Sequence, residues 1–323
     1  MTDQRIIHLG IDPERYPAGA VEAVHSRAPD YELLVSTDRS EIERNLERIE
    51  VSLAHFPHDL FASAPSLRWF QQAGAGADWL GRHPTARELP FVLTSASGVH
   101  AIPISEHMFG FLLALGRGFP GAIRGQSKGV WTRIDDPEVF EIAGKRVLVL
   151  GVGAIGERFA RLCAANDMEV VGLRRNPEIP AEGVGRMVGM DELHEELPHT
   201  DIVASTLPLT SETHHFLGRE EFTLLKEGAI VVNIGRGATI DETALVDALR
   251  SGKVRAAGLD VFETEPLPED SPLWKMEQVL ITAHYSGSTP TYNKRVFEIF
   301  LDNLDRYMRG EPLRNVVDKT VGY

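Results

Sequence analysis

A glycine-rich turn near the middle of the chain has the spacing of a phosphate-binding motif. Gly151, Gly153 and Gly156 directly follow the predicted strand 146–150 and open a predicted helix. In this context the first glycine makes a tight turn, the second lets the backbone approach a pyrophosphate, and the third lets the helix pack against the strand. The N-terminus of the helix adds free N–H groups and the positive end of the helix dipole. The turn therefore predicts a dinucleotide site.

The next predicted strand, residues 169–173, ends in Arg174 and Arg175. An NAD site usually carries an acidic side chain here, which bonds the ribose 2′-hydroxyl. Two guanidinium groups favour a 2′-phosphate instead, because they can pair with it bidentately and no carboxylate repels it. We therefore predict NADP as the cofactor. NAD is the alternative, if the two arginines are only an exposed basic pair on a surface loop.

Three later segments place a guanidinium, a carboxylate and an imidazole just past predicted strands. Arg236, Glu265 and His284 each follow the end of a strand within a few residues. The carboxyl ends of strands in an open α/β sheet face the ligand crevice. We therefore expect these three side chains to converge on one site.

The elements that must position these residues form two series. Predicted strands of the first series are 5–9, 31–36, 51–54, 68–72 and 91–94, and those of the second are 146–150, 169–173, 201–205, 229–233, 256–261 and 279–283. Strands that alternate with helical stretches predict a parallel sheet in each series. The fold class is therefore α/β, with two Rossmann-like or flavodoxin-like domains and an active-site cleft between them.

One long helix is expected after each series of strands. A wide apolar stripe predicts a helix over 103–116, which could be buried within one chain or form a dimer contact. The segment 290–309 predicts a last helix that is free to return to the first domain. The expected division is residues 1–100 plus 287–323 for substrate binding and residues 101–286 for the dinucleotide.

Composition excludes several function classes. A net charge of −14 disfavours nucleic acid and anionic membrane surfaces, and no apolar run reaches the ~20 residues of a membrane span. The start of the chain lacks the pattern of a secretory signal, so we expect a cytoplasmic protein. A single cysteine, Cys163, is expected in the core. The acidic, lysine-poor composition suits either a salt-rich cytoplasm or ordinary acidity with codon bias.

The chain resembles the D-isomer-specific 2-hydroxyacid dehydrogenase family over nearly its whole length. Five segments carry the resemblance: the glycine turn, Leu207-Pro208-Leu209-Thr210 with Thr213, residues 233–237 with the Asp241-Glu242 helix start, residues 260–268, and the turn that contains Ala283-His284. The resemblance implies a dehydrogenase that reversibly reduces a small 2-keto acid to the D-2-hydroxy acid by hydride transfer from NAD(P)H.

The resemblance also implies roles for the three converging side chains. Arg236 would hold the substrate carboxylate and polarise the keto oxygen, for which a planar guanidinium is well suited. His284 would protonate that oxygen, and Glu265 would stabilise the protonated imidazole. Family formate dehydrogenases pair the histidine with glutamine, so Glu265 argues against formate oxidation. Other histidines are expected to be structural or solvated, including His100, His107, His214 and His215.

Further contacts are carried over from the family. In the loop 72–78, which ends at Asp78, the amides of Ala75 and Gly76 would grip the substrate carboxylate, together with Arg236 and His284. The expected cofactor contacts are Met108, Gly151, Gly153, Ala154, Ile155, Gly156, Arg174, Arg175, Leu207, Pro208, Thr213, Ile234, Gly235, Arg236, Asp260, His284, Ser286 and Gly287. A homodimer through the dinucleotide-binding domain is also expected, and no metal.

Two alternatives remain at this stage. One is a family enzyme that acts on another anion, such as phosphoglycerate or phosphite, since these use much the same three side chains. The chain shows no added regulatory domain, which disfavours the long phosphoglycerate dehydrogenases and not the short ones. The other is a nucleotide-sensing binding protein of the corepressor type. Cofactor binding without turnover would identify the sensor.

Overall fold

The computed structural model describes residues 4–77, 79–135 and 139–320. The chain divides into two compact units, Met1–His100 with Thr289–Tyr323, and Ala101–Ser288. The chain passes from the first unit to the second after His100 and returns after Ser288. Each unit is built on its own sheet, and each is described by itself.

The first unit contains a parallel sheet of five described strands in the order β2-β1-β3-β4-β5. The strands are β1 (Ile6–Gly10), β2 (Glu32–Val35), β3 (Ile49–Ala54), β4 (Trp69–Gln71) and β5 (Val92–Thr94). Its α-helices are α1 (Ala20–Arg27), α2 (Arg39–Asn45), α3 (Trp79–Arg82) and α10 (Tyr292–Met308). Short 3₁₀ turns lie at Pro13–Arg15, His58–Ser63 and Pro84–Arg87.

A buried histidine lies in β1, between the strands β2 and β3 of this sheet. His8 has no exposed surface, and its ring lies between the Ser52 hydroxyl (Nδ1 to Oγ, 2.9 Å) and the Ser36 carbonyl (Nε2 to O, 2.8 Å). Since a carbonyl can only accept, Nε2 carries the proton and Nδ1 accepts from Ser52. Burial lowers the pKa of His8 to about 4, so the ring is neutral at physiological pH.

The second unit contains a parallel sheet of seven described strands in the order β12-β11-β10-β9-β6-β7-β8. The strands are β6 (Arg146–Leu150), β7 (Glu169–Leu173), β8 (Arg186–Val188), β9 (Ile202–Ser205), β10 (Ala229–Asn233), β11 (Val254–Leu259) and β12 (Val279–Ile281). The strand order reverses between β6 and its neighbours β7 and β9. A switch of this kind opens a crevice at the carboxyl ends of the strands.

Six α-helices are described in the second unit: α4 (Ala101–Gly116), α5 (Phe119–Ser127), α6 (Ala154–Ala164), α7 (Leu193–Glu196), α8 (Arg219–Leu224) and α9 (Glu242–Ser251). Short 3₁₀ turns lie at Met190–Glu192, Leu197–His199, Gly237–Thr239 and Pro272–Lys275. The Asp241 side chain caps α9 by accepting the N–H of Ala244 at 2.9 Å. Cys163 in α6 is fully buried, which raises the pKa of its thiol to about 12.

The predicted fold class and both parallel sheets are confirmed. Each predicted strand exists, with ends that differ by at most two residues. The apolar stripe of α4 is buried at Ile104, Met108, Phe111, Leu112 and Leu115, as its spacing predicts. Two elements were not predicted. The strand β8 has only three residues and begins with a charge, while α5 contains two glycines and a proline.

In the described part of the chain, the helices are too short or too polar to cross a membrane.

Candidate active site

The glycine turn connects β6 to α6 as its spacing predicts. Gly151 has a φ of 89°, a left-handed conformation that favours glycine. A Cβ on Gly156 would lie 2.3 Å from the Gly151 carbonyl oxygen, so helix and turn touch backbone to backbone. A Cβ on Gly153 would meet no atom within 4 Å, which leaves open space beside the start of α6 at Ala154. The first N–H groups of the helix, including that of Ile155, have no intrahelical acceptor.

A threonine that was not predicted as a site residue braces this turn. The Thr206 hydroxyl donates to the Gly151 carbonyl at 2.5 Å, just past the end of β9. The loop that follows is also fixed internally, since the Thr213 hydroxyl donates to the Pro208 carbonyl at 2.6 Å. Thr213 is almost completely buried. The structure therefore gives Thr213 a loop-stabilising contact, and its contact with a cofactor stays a prediction.

The loop after β10 packs directly on the loop after β9. A Cβ on Gly235 would lie 2.5 Å from the Leu207 carbonyl oxygen, so only glycine allows this approach. The buried Asn233 side chain fixes the turn at both ends: its Oδ1 accepts the Gly235 N–H at 3.1 Å, and its Nδ2 donates to the Arg236 carbonyl at 3.2 Å. Ile234 between them is buried. The half-buried Arg236 side chain donates from Nη1 to the Gly235 carbonyl at 2.9 Å.

A second close approach joins the loop after β10, which carries Arg236, to the loop after β11, which carries Glu265. A Cβ on Gly237 would lie 1.8 Å from the Phe262 carbonyl carbon, so these two backbones are in direct contact. The Phe262 N–H donates to Oε1 of Glu265 at 3.0 Å. The position of the carboxylate therefore depends on the contact between Gly237 and Phe262.

Glu265 and His284 form a hydrogen-bonded pair. Oε2 of Glu265 lies 2.6 Å from Nδ1 of His284, with the two side chains 35% and 51% exposed. A carboxylate accepts, so Nδ1 carries a proton and Nε2 is the atom left to exchange one. The imidazole therefore has a fixed orientation and an accessible second nitrogen. A pair of this kind can act as a general acid and base.

A buried aspartate holds the turn that carries His284. Asp260 has no exposed surface, and its backbone carbonyl accepts the His284 N–H at 2.8 Å. Its carboxylate accepts the N–H groups of Tyr285 (3.0 Å) and Ser286 (3.1 Å), and the Thr282 hydroxyl (2.5 Å). Three consecutive N–H groups thus donate to one residue. Asp260 was predicted as a cofactor contact; the structure assigns its oxygens to this turn, which ends at Gly287.

The two arginines at the end of β7 differ in environment. Arg174 is half-buried and donates from Nη1 to the Ile179 carbonyl at 3.3 Å. Arg175 is exposed, and its Nη2 lies 3.1 Å from Oε2 of Glu212, which belongs to the loop after β9. Both guanidinium groups therefore stand at the carboxyl edge of the sheet, on the same side as the glycine turn.

The remaining predicted residues are Met108 in the second unit and the loop after β4 in the first unit. Met108 is fully buried in the apolar core of the second unit, so its contact with a nicotinamide stays a prediction. Ala75 and Gly76 belong to the first unit, in the loop after β4. The Gln72 amide holds this loop by donating to the carbonyls of Gly74 (3.1 Å) and Gly76 (2.9 Å). Asp78 lies outside the described residues.

The second unit thus brings together most of the predicted site at one sheet edge. The sequence did not single out Thr206, Thr282 or the Phe262 N–H, because short hydroxyl and backbone contacts leave no pattern in one sequence. Among residues 4–77, 79–135 and 139–320, no group of three or more His, Cys, Asp or Glu side chains could hold a metal ion.

Comparisons with known proteins agree with this geometry. Residues 109–286 match the model of the family described as D-isomer specific 2-hydroxyacid dehydrogenase, NAD binding domain. The chain is 35% identical to a D-3-phosphoglycerate dehydrogenase of Methanocaldococcus jannaschii, over 80% of this chain and 49% of that protein. It is 33% identical to a glyoxylate reductase of Korarchaeum cryptofilum, over 84% of this chain and 82% of that protein.

A solved structure is similar over the full length. It is the D-isomer specific 2-hydroxyacid dehydrogenase from Xanthobacter autotrophicus in complex with NADPH and MES, with 30% identity, a TM-score of 0.81 and complete coverage of both chains. The present chain spans about half the length of the phosphoglycerate dehydrogenases it matches. Because the family model covers more than half of the chain and the match extends to full-length relatives, this chain belongs to the D-isomer specific 2-hydroxyacid dehydrogenase family.

Proposed function

We propose that this protein is an NADP-dependent D-2-hydroxyacid dehydrogenase that reduces a small 2-keto acid to the D-2-hydroxy acid. Members of its family are NAD(P)-dependent oxidoreductases that act on 2-hydroxy acids. The observation that carries the proposal is the Glu265–His284 pair, 2.6 Å apart at the same sheet edge as the glycine turn. A sensor that only binds nucleotide has no need of an oriented proton donor.

His284 is the proton donor in this proposal. With Nδ1 bonded to Glu265, the protonated ring presents its second N–H at Nε2. That proton goes to the keto oxygen as the C=O double bond becomes a single bond, and the ring is left neutral. In the oxidation direction Nε2 accepts the hydroxyl proton. Glu265 keeps the ring oriented through Nδ1 and is held in turn by the Phe262 N–H.

Arg236 is the substrate clamp. Its loop packs against Phe262 through Gly237, so the guanidinium and the Glu265–His284 pair are held on contacting segments. A planar guanidinium can bond two oxygens of a 2-keto acid, one from the carboxylate and one from the keto group. It also stabilises the charge that develops on the keto oxygen during reduction.

The residues at the glycine turn fit a nicotinamide dinucleotide. A bound NADPH would supply the hydride that reduces the keto carbon. The open space at Gly153 and the N-terminus of α6 suit a pyrophosphate, with Ala154 and Ile155 giving the first helical N–H groups. Arg174 and Arg175 support a 2′-phosphate, and the similar Xanthobacter protein was solved with NADPH.

The choice of keto acid is supported by the loop after β4 and by the similar proteins. The resemblance of the 72–77 loop to the family's substrate loop supports carboxylate binding by the amides of Ala75 and Gly76. Similarity to a glyoxylate reductase favours a short keto acid. Similarity to phosphoglycerate dehydrogenases favours phosphohydroxypyruvate as the second candidate, although this chain spans only about half of those proteins.

A homodimer through the dinucleotide-binding unit is part of the proposal. Four large apolar side chains on and after α5 are exposed: Phe119, Ile123, Val130 and Trp131. Trp131 is 94% exposed. Burying such a patch against a second copy would remove it from water. Cytoplasmic location stays a prediction from the sequence.

The experiment follows NADPH absorbance with glyoxylate, hydroxypyruvate, pyruvate, phosphohydroxypyruvate and longer 2-keto acids. The wild-type protein should oxidise NADPH with at least one of them, and His284→Gln should lose about 100-fold or more of kcat while it still binds NADPH. The matched control is His25→Gln, which changes an exposed histidine in α1 of the first unit. NADPH binding without turnover of any of these acids would instead support the sensor.

A further inference from the structure

The turn that carries His284 adopts a conformation that needs support. His284 has a φ of 51°, in the left-handed region that a side chain with a Cβ rarely adopts. A residue in this conformation persists only where its surroundings hold it in place. Here the support is Asp260, which accepts the N–H groups of residues 284, 285 and 286. The Asp260 backbone carbonyl accepts the N–H of His284, and its buried carboxylate fixes the next two residues, so the conformation of the turn depends on how that carboxylate is oriented.

The Asp260 carboxylate is oriented by a hydroxyl that is itself held by a histidine. Thr282 donates from Oγ1 to Oδ1 of Asp260 at 2.5 Å, since a carboxylate can only accept. Oγ1 also lies 3.0 Å from Nε2 of His107, a residue of α4. Because the Thr282 proton is directed at Asp260, the hydroxyl must accept from His107. Nε2 of His107 therefore carries the ring proton.

The His107 ring is fixed by packing on two sides. It meets the Phe111 ring edge-to-face, with centroids 4.6 Å apart and an interplanar angle of 84°. It also meets the Tyr285 ring of the His284 turn at 5.6 Å and 90°. Burial lowers the pKa of His107, so the ring is neutral at physiological pH and has one N–H to donate. This proton has one observed acceptor, the Thr282 hydroxyl.

We propose that His107 is a positioning residue for His284: its Nε2–H group fixes the Thr282 hydroxyl, which fixes the Asp260 carboxylate that accepts the N–H groups of Tyr285 and Ser286, the residues that follow His284 in its turn. His107 does not touch the reacting atoms; it acts through three successive hydrogen-bonded groups. The inference rests on the proposed function in so far as His284 is the proton donor. It assigns a role to a histidine that the sequence suggested was only structural or solvated.

The test compares conservative and disruptive variants at both ends of the His107–Thr282 bond. His107→Leu and Thr282→Val remove the bond with little change of volume. His107→Gln and Thr282→Ser keep it, because a glutamine Nε2 can reach the position of the imidazole Nε2 and serine retains the hydroxyl. Loss of one such bond should lower kcat about tenfold in each disruptive variant, with the KM for NADPH unchanged. Both conservative variants should restore most of the activity.

The double variant His107→Leu/Thr282→Val provides the sharper comparison. If the two residues act through one chain of bonds, its kcat equals that of the lower single variant. Multiplication of the two effects would show independent contributions and overturn the proposal. So would a His107→Gln variant as impaired as His107→Leu, since a bond donor would then not be what matters. If His107→Leu does not fold, Thr282→Val with its serine control gives the same decision.

A second measurement does not depend on turnover. The amide hydrogens of Tyr285 and Ser286 donate to Asp260, and their exchange with solvent can be followed by NMR in the cofactor-free protein. Exchange should accelerate about tenfold in His107→Leu and in Thr282→Val, and stay slow in the conservative variants. Unchanged exchange in both disruptive variants would overturn the proposal. If the wild-type protein reduces no keto acid, the proposed function fails and this measurement still decides the positioning role.

Discussion

Gly237→Ala should inactivate the enzyme by separating the loop that carries Arg236 from the loop that carries Glu265. A Cβ at this position would lie 1.8 Å from the Phe262 carbonyl carbon and 1.9 Å from its oxygen. Gly237 does not have a positive φ, so alanine fits the local backbone and the whole effect comes from this contact. To reach the 3.4 Å of ordinary van der Waals contact, the two backbones must move apart by about 1.6 Å.

The movement separates groups that must act together. Phe262 anchors Glu265, and Glu265 orients His284, while Arg236 stands on the other side of the contact. A misplacement of about 1 Å in a catalytic arrangement typically costs about 100-fold in rate, so kcat should fall by that factor or more. NADPH binding should change less than kcat, because the glycine turn and α6 are not part of this contact, while Ile234 and Gly235 in the displaced loop are expected cofactor contacts.

The assay is steady-state NADPH oxidation with the best keto acid, together with a fluorescence titration of NADPH. Gly110→Ala is the matched control, since a Cβ there meets no atom within 4 Å and the residue lies on the exposed side of α4. The control should keep wild-type activity and gain up to about 1 kcal/mol of helix stability. A Gly237→Ala enzyme with wild-type kcat would refute the reasoning that this contact sets the catalytic geometry.

Three further predictions concern stability, cofactor choice and assembly. The pKa of His8 is about 4 in the folded protein against 6.5 when exposed, so the stability that its neutral form contributes is lost as pH falls from about 6.5 towards 4. The free energy of unfolding of the first unit should therefore fall by about 2 kcal/mol between pH 7 and pH 5, as measured by hydrogen exchange of β1 amides. His8→Gln should not show this pH-dependent loss of stability. Arg175→Ser should raise the KM for NADPH about tenfold and leave the KM for NADH unchanged. Glu212→Gln should lower the KM for NADPH, because it removes the carboxylate that pairs with Arg175. Equal effects on the KM values of both cofactors would contradict the assignment of a 2′-phosphate site. Trp131→Ser should shift the molar mass in light scattering from dimer towards monomer, and a monomeric wild-type protein would exclude the dimer.

The fold could be predicted because its signals are repeated along the chain. Apolar strands such as 146–150 alternate with helices, and glycines stand where a strand turns into a helix, so each sheet was specified many times. The strand β8 escaped detection because three residues with one charge give no periodic signal. The helix α5 escaped because Gly121 and Gly125 weaken its helical propensity.

The site could be predicted only in part. Arg236, Glu265 and His284 were predicted as site residues because strand ends and family resemblance both point to them, and their catalytic roles stay a prediction. The resemblance could not show how they are held, since the bonds from Thr206, Thr282 and His107 each join residues far apart in sequence. Asp260 illustrates the difference: the sequence suggested a cofactor contact, and the structure adds that its carboxylate is fully engaged by the His284 turn.

The most direct test of the central claim is product analysis with the wild-type and His284→Gln proteins. Each is incubated with NADPH and hydroxypyruvate or pyruvate, and the hydroxy acid formed is separated on a chiral column. We expect the wild-type protein to form the D-2-hydroxy acid in equal amount to the NADPH consumed, and His284→Gln to form almost none at the same NADPH occupancy. An L-product, or equal product from His284→Gln, would contradict the assignment of this site.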